Sequence, residues 1–106
     1  ALDYAEKAVR LQPHSPHALD TLGLILTAIG KGQEKKAEEA LQRSISIEAM
    51  PANLLHLGEL YDRTGRTDDA IRYYRKGWDK VKDAPSDEYY QALRDAMKRH
   101  GELPAG

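Results

Sequence analysis

No cysteine occurs among the 106 residues, which excludes a disulfide framework, a thiol nucleophile and every cysteine-ligated metal site, and suits a cytoplasmic or a periplasmic setting equally. Nor does one sign of charge dominate. Sixteen Lys and Arg face 17 Asp and Glu, a formal net charge of -1, so no global field draws the chain to nucleic acid or an anionic membrane. Long apolar runs are missing as well: none approaches the roughly 20 residues of a membrane span, and membrane insertion by this segment is not expected. The four histidines, His14, His17, His56 and His100, make no H-E-x-x-H helix or comparable zinc spacing. No G-x-S-x-G elbow frames a serine nucleophile. Gly30 and Gly32 lack the preceding strand and third glycine of a phosphate loop and read as a lysine-rich turn. The expectation is a soluble chain with no enzymatic activity, no metal and no cofactor.

What is present is a repeat. Pro16, Leu19, Leu22, Gly23, Leu26 and Gly30 recur 35 positions later as Pro51, Leu54, Leu57, Gly58, Tyr61 and Gly65. A looser third copy, 36 positions on, holds Tyr90, Leu93, Met97 and Gly101, with Arg94 in place of the inner glycine. Between these first-type helices lie second-type ones, AEEALQRSISIE and DDAIRYYRKGWDKV, in which Ala37 and Leu41 correspond to Ala70 and Tyr74; ALDYAEKAVRLQP takes the same slot at the start. Pro16, Pro51 and Pro85 suit the first helical position. Gly30, Gly65 and Gly101 suit left-handed helix ends. Six helices in about three hairpins follow. An inner glycine costs a helix about 1 kcal/mol relative to alanine, so Gly23 and Gly58 predict a close approach by the backbone of a neighbouring helix.

This pattern resembles the tetratricopeptide repeat (TPR), in which a large residue, Leu-Gly and an aromatic mark the first helix, and Ala, an aromatic, Ala and Pro mark the second. Leu54, Leu57, Gly58, Tyr61, Ala70 and Tyr74 match it; Leu19, Leu22, Gly23, Leu26, Ala37 and Leu41 match nearly as well, with Ser44 and Gly77 where a small alanine is usual. The resemblance implies an all-α fold, a right-handed superhelical solenoid of antiparallel hairpins, as a single domain over 1–106. Residues 1–12 are then the second helix of a truncated repeat, 16–49 and 51–83 full repeats, and 86–101 a capping helix or the next first helix. Because the chain opens at helical rhythm without an initiator methionine, it is expected to be a fragment of a longer protein. The turn from Gly30 to Ala37 departs from the pattern, being two residues longer than that from Gly65 to Ala70.

The resemblance also implies a function: a non-enzymatic scaffold whose first helices line a concave groove for a peptide or helix of a partner protein. On a helical wheel, the arcs opposite the core hold His17, Asp20, Leu24 and Thr27 in the first full repeat. They hold Ala52, Leu55, Glu59 and Asp62 in the second, and Glu88, Gln91, Asp95 and Lys98 in the third. Leu24 and Leu55 form an apolar pad rimmed by Asp20, Glu59, Asp62 and Asp95, which suits a segment with an apolar anchor and basic flanks. Co-chaperones of the family that grip acidic chaperone tails use Lys, Asn and Arg where this chain has Asp20, Leu24, His56, Glu88 and Ala92, so that tail is not an expected ligand. The aromatic residues Tyr73, Tyr74, Trp78, Tyr89 and Tyr90 read as packing, and the stripe of Arg72, Arg75, Lys76 and Lys80 as a solvated outer face. The alternatives are a self-associating array and a regulatory segment of a larger protein. YAEKAVRLQPHSPHALDTLG also resembles repeats in bacterial envelope and exopolysaccharide-export lipoproteins of the same superfamily.

Overall fold

The computed structural model describes residues 1–105, and among them are six helices and no strand: α1 (Leu2–Leu11), α2 (Pro16–Ile29), α3 (Glu34–Ile47), α4 (Pro51–Arg63), α5 (Thr67–Val81) and α6 (Tyr90–Arg99). The chain divides into two compact units, Ala1–Ala49 and Met50–Gly106. In the first, α2 packs against both α1 and α3; in the second, α5 packs against both α4 and α6. This is the all-α, TPR-like arrangement of helical hairpins.

Local chemistry starts and stops these helices. Ser15 caps α2, its hydroxyl accepting the Ala18 N–H at 3.1 Å, with Pro16 at the first position. Pro51 opens α4 in the same way, but Met50 has no capping oxygen. The buried Asn53 carboxamide reaches back instead and accepts the Met50 N–H at 2.8 Å. Such a cap contributes about 1 kcal/mol. At the end of α4 the Arg66 N–H donates to the Tyr61 carbonyl at 2.8 Å and the Gly65 N–H to that of Asp62 at 3.2 Å. This pair of bonds needs a left-handed residue between them, and Gly65 supplies it at φ 78°. The end of α6 repeats the arrangement through Gly101.

Pro85 does not begin a helix. The Asp87 carboxylate accepts the Tyr89 N–H at 2.8 Å, its backbone accepts that of Tyr90 at 3.1 Å, and residues 85–89 fold into turns. Asp is favoured in such local bonding over helix continuation, so α6 begins at Tyr90 and Glu88 sits in a turn.

The inner glycines do make a close contact, but with a side chain rather than a backbone. A Cβ on Gly23 would lie 2.4 Å from Leu41 Cγ, and one on Gly58 2.6 Å from the Tyr74 ring. The first-type helices α2 and α4 thus each carry a notch that receives the large residue of the hairpin partner. Gly77 provides a third notch, where a Cβ would meet Leu93 at 2.7 Å; the methyl usual at that position is absent because α6 occupies its space. Ser44, in the matching slot of α3, is fully buried and donates to the Pro16 carbonyl at 2.7 Å, tying the end of one helix to the start of the other.

Candidate functional site

The wheel arcs do not share one environment. On α2, His17 and Leu24 are open, Leu24 at 43% exposure, whereas Asp20 and Thr27 are buried. On α4, Leu55 is 5% exposed and Glu59 and Asp62 are half-buried. Gln91 and Asp95 on α6 are exposed and Lys98 is half-buried. The wheel assigns one packed arc to each helix; α2, flanked by α1 and α3, has two packed sides. Leu55, buried on α4, adds no exposed apolar surface, and Leu24 is the accessible leucine of the expected pad.

Thr27 and Asp62 occupy the same repeat position and solve different problems. The Thr27 hydroxyl donates to the Gly23 carbonyl one turn back, at 2.8 Å. Asp62 is a hub. The Tyr74 hydroxyl donates to its Oδ2 at 2.6 Å, and His100 Nε2 lies 3.0 Å from Oδ1 and 3.1 Å from Oδ2. The Arg99 guanidinium stands 3.5 Å away and 5.9 Å from the centre of the Tyr74 ring. Burial pushes the Asp62 carboxyl up, but the hydrogen bonds from Tyr74 and His100 outweigh it and hold the group below the usual aspartate range. Tyr74 moves the other way: burial, and then its bond to the Asp62 carboxylate, push the phenol well above its ordinary value.

These groups superficially form a relay, but Tyr74 is locked in its protonated form with its proton committed to Asp62, and its ring fills the Gly58 notch. The cluster holds α4, α5 and α6 together. A second contact across the unit sets the His56 ring edge-on to Tyr89 at 6.1 Å, and a third sets Trp78 against Tyr90 at 5.1 Å. Glu59, one turn before Asp62, has its carboxyl raised by desolvation, with the nearby His56 pulling it partly back. Gln91 donates to Asp95 at 2.8 Å along the outer edge of α6.

Sequence reasoning singled out Asp62 but missed its partners. A signal was present in Tyr74, since a tyrosine at a buried repeat position needs an acceptor for its hydroxyl; nothing in the spacing marked His100, 38 residues from Asp62. Among the described residues no group of three His, Asp or Glu side chains could hold a metal ion, and no helix is long and apolar enough to cross a membrane. The family model for the tetratricopeptide repeat matches residues 52–77, which run from the second residue of α4 to Gly77 in α5. No curated protein matches the chain.

Proposed function

Since residues 52–77 carry a tetratricopeptide repeat and the six-helix architecture fits a TPR protein with flanking helices, we propose that this chain is a non-enzymatic scaffold that binds a segment of a partner protein on its first-type helices. Repeats of this kind typically serve as protein-interaction modules, and the repeat on α4 and α5 is the observation that carries the reading. In the first unit the contact surface is the side of α2 on which His17 and Leu24 are exposed, with Leu24 as its apolar element. In the second it is the half-buried Glu59 and Asp62 side of α4 and the Gln91, Asp95 and Lys98 face of α6. Asp62 contributes there by fixing the scaffold. Glu59 and Asp95 are the acids left to meet a ligand, and they favour basic flanks on the bound segment.

Fluorescence anisotropy with the full chain tests this, using a labelled peptide with a leucine anchor and lysine flanks and a second with glutamate flanks. Leu24→Ser is expected to weaken leucine-anchored binding at the first unit, Glu59→Lys to weaken the lysine-flanked peptide at the second, and Arg72→Glu on α5 to leave both unchanged. Binding that ignored the first two and responded to the third would move the interaction to the outer face. Self-association is the second reading, favoured by Tyr4 and Leu11 at 77% and 72% exposure on α1; sedimentation across a concentration series separates the two.

A further inference from the structure

The side of α2 turned away from His17 and Leu24 is only partly covered. Between α1 and α3, within the first unit, a groove of about 440 Å³ runs along it. Leu2 and Val9 of α1 and Leu19, Leu22 and Leu26 of α2 form its apolar floor. Leu2, Val9 and Leu22 stay only half-buried there. Ile29, seven residues after Leu22 and so on nearly the same side of the helix, is 48% exposed and prolongs the stripe.

The rim is charged. Glu6 stands on the α1 side, and Lys36, Glu39 and Arg43 on the α3 side. The side chains of Glu6, Lys36 and Glu39 make no ion pair among the described residues, while Arg43 is held at the rim by its bond to the Pro13 carbonyl at 3.0 Å. Lys36 and Arg43 are seven residues apart on one helix, a rise of about 10.5 Å. A helical partner returns to the same side at the same interval. An extended partner presents same-side residues at multiples of about 6.7 Å, and cannot meet both cations in register.

We propose that this groove receives an amphipathic helix of about two to three turns from a partner protein, its apolar stripe lying on the half-buried Leu2, Val9 and Leu22, above the buried Leu19 and Leu26. Two carboxylates seven residues apart face Lys36 and Arg43, with a basic residue between them opposite Glu39. The surface lies on the other side of α2 from the contact face proposed above, so failure here leaves that reading intact.

The test uses the full chain and two stapled helical peptides of about 14 residues, long enough to be held helical. Both carry a leucine stripe; one has the acidic, basic, acidic edge and the other the reversed signs. The first is expected to bind, to shift the Leu19, Leu22 and Leu26 amides in NMR spectra, and to lose about tenfold in affinity with Lys36→Glu. The same variant should gain affinity for the reversed peptide, and Lys80→Glu, on an exposed position of α5, should change neither. Equal binding of both peptides, no binding, or shifts confined to the His17 and Leu24 side would overturn the proposal. So would a concentration-dependent dimer whose dilution shifts the groove amides, which would assign the groove to a second copy of this chain.

Discussion

The hairpins α2–α3 and α4–α5 share a repeat frame but fill the same notch with different chemistry. In the first, Leu41 sits over Gly23, and the neighbouring Thr27 satisfies its hydroxyl within its own helix. In the second, Tyr74 sits over Gly58, and its hydroxyl requires the Asp62 carboxylate, which in turn gathers Arg99, the last residue of α6, and His100, which caps it. An apolar knob closes two helices. A knob with a polar tip recruits a third. The large apolar residues above 40% exposure, Tyr4, Leu11, Leu24 and Ile29, all lie in the first unit, as does Ile47 at 40%. The second unit buries its own under α6 and its aromatic contacts, so surface available to partners is unequally divided between them.

The largest expected effect comes from closing a notch. Gly58→Leu should cost about 3 kcal/mol, the upper end for overpacking, because the Tyr74 ring is rigid and pinned at its hydroxyl. Gly23→Leu should cost less, since the Leu41 side chain has no hydrogen bond to pin it. Urea denaturation of both variants checks this, and equal losses would remove the distinction between the knobs.

Next comes burial at the wheel positions. Leu55→Ser should lose about 2 to 4 kcal/mol, as other buried leucine truncations do, and Leu24→Ser less than about 1 kcal/mol. Calorimetry that ranked them the other way would return Leu55 to the surface.

Tyr74→Phe should cost about 1.5 kcal/mol, typical of a hydrogen bond to a charged group, and loosen α6. The lone tryptophan, Trp78, packs on Tyr90 of α6 and reports on the second unit directly through its fluorescence. The effect depends on pH in opposite senses at two carboxylates. Asp62 has its folded value lowered, so its contribution is full above the ordinary aspartate value of about 3.9 and disappears as pH falls through the lower folded one. Glu59 is raised; its ionised form opposes folding at neutral pH, and the opposition fades as pH falls through that raised value. Near pH 7, Asp62→Asn should therefore destabilise the second unit and Glu59→Gln stabilise it, with Asp62→Asn also flattening the acid loss. Trp78 fluorescence in urea at neutral and acidic pH reads both, and identical behaviour of the two variants would contradict the assignment.

The smallest effect belongs to the longer turn. Gly30 and α3 are separated by Lys31, Gly32 and Gln33, whereas a single residue, Arg66, separates Gly65 from α5. Deleting Lys31 and Gly32 should change stability by about 0.5 kcal/mol, because loop closure depends weakly on length. Thermal denaturation of the deletion checks this, and a large loss would make the turn a specific element of the first unit.

The 35-residue spacing of Leu-Gly pairs, prolines and terminal glycines by itself determined six helices, their pairing into hairpins and the places where α2 and α4 begin. Those features follow from periodicity, missing N–H groups and positive φ, all of which are local. Tertiary structure alone decided what fills each notch, because Leu41 and Tyr74 reach their glycines across a turn whose geometry no wheel contains. It also decided that α6 starts at Tyr90, where the Asp87 carboxylate competes with the helix for backbone N–H groups, and that Asp20 and Leu55 are both buried despite opposite polarity. Burial is set by how many neighbours flank a position, and the partners of Asp62 by folding α6 back onto the hairpin. Neither quantity is carried by the order of residues along one helix.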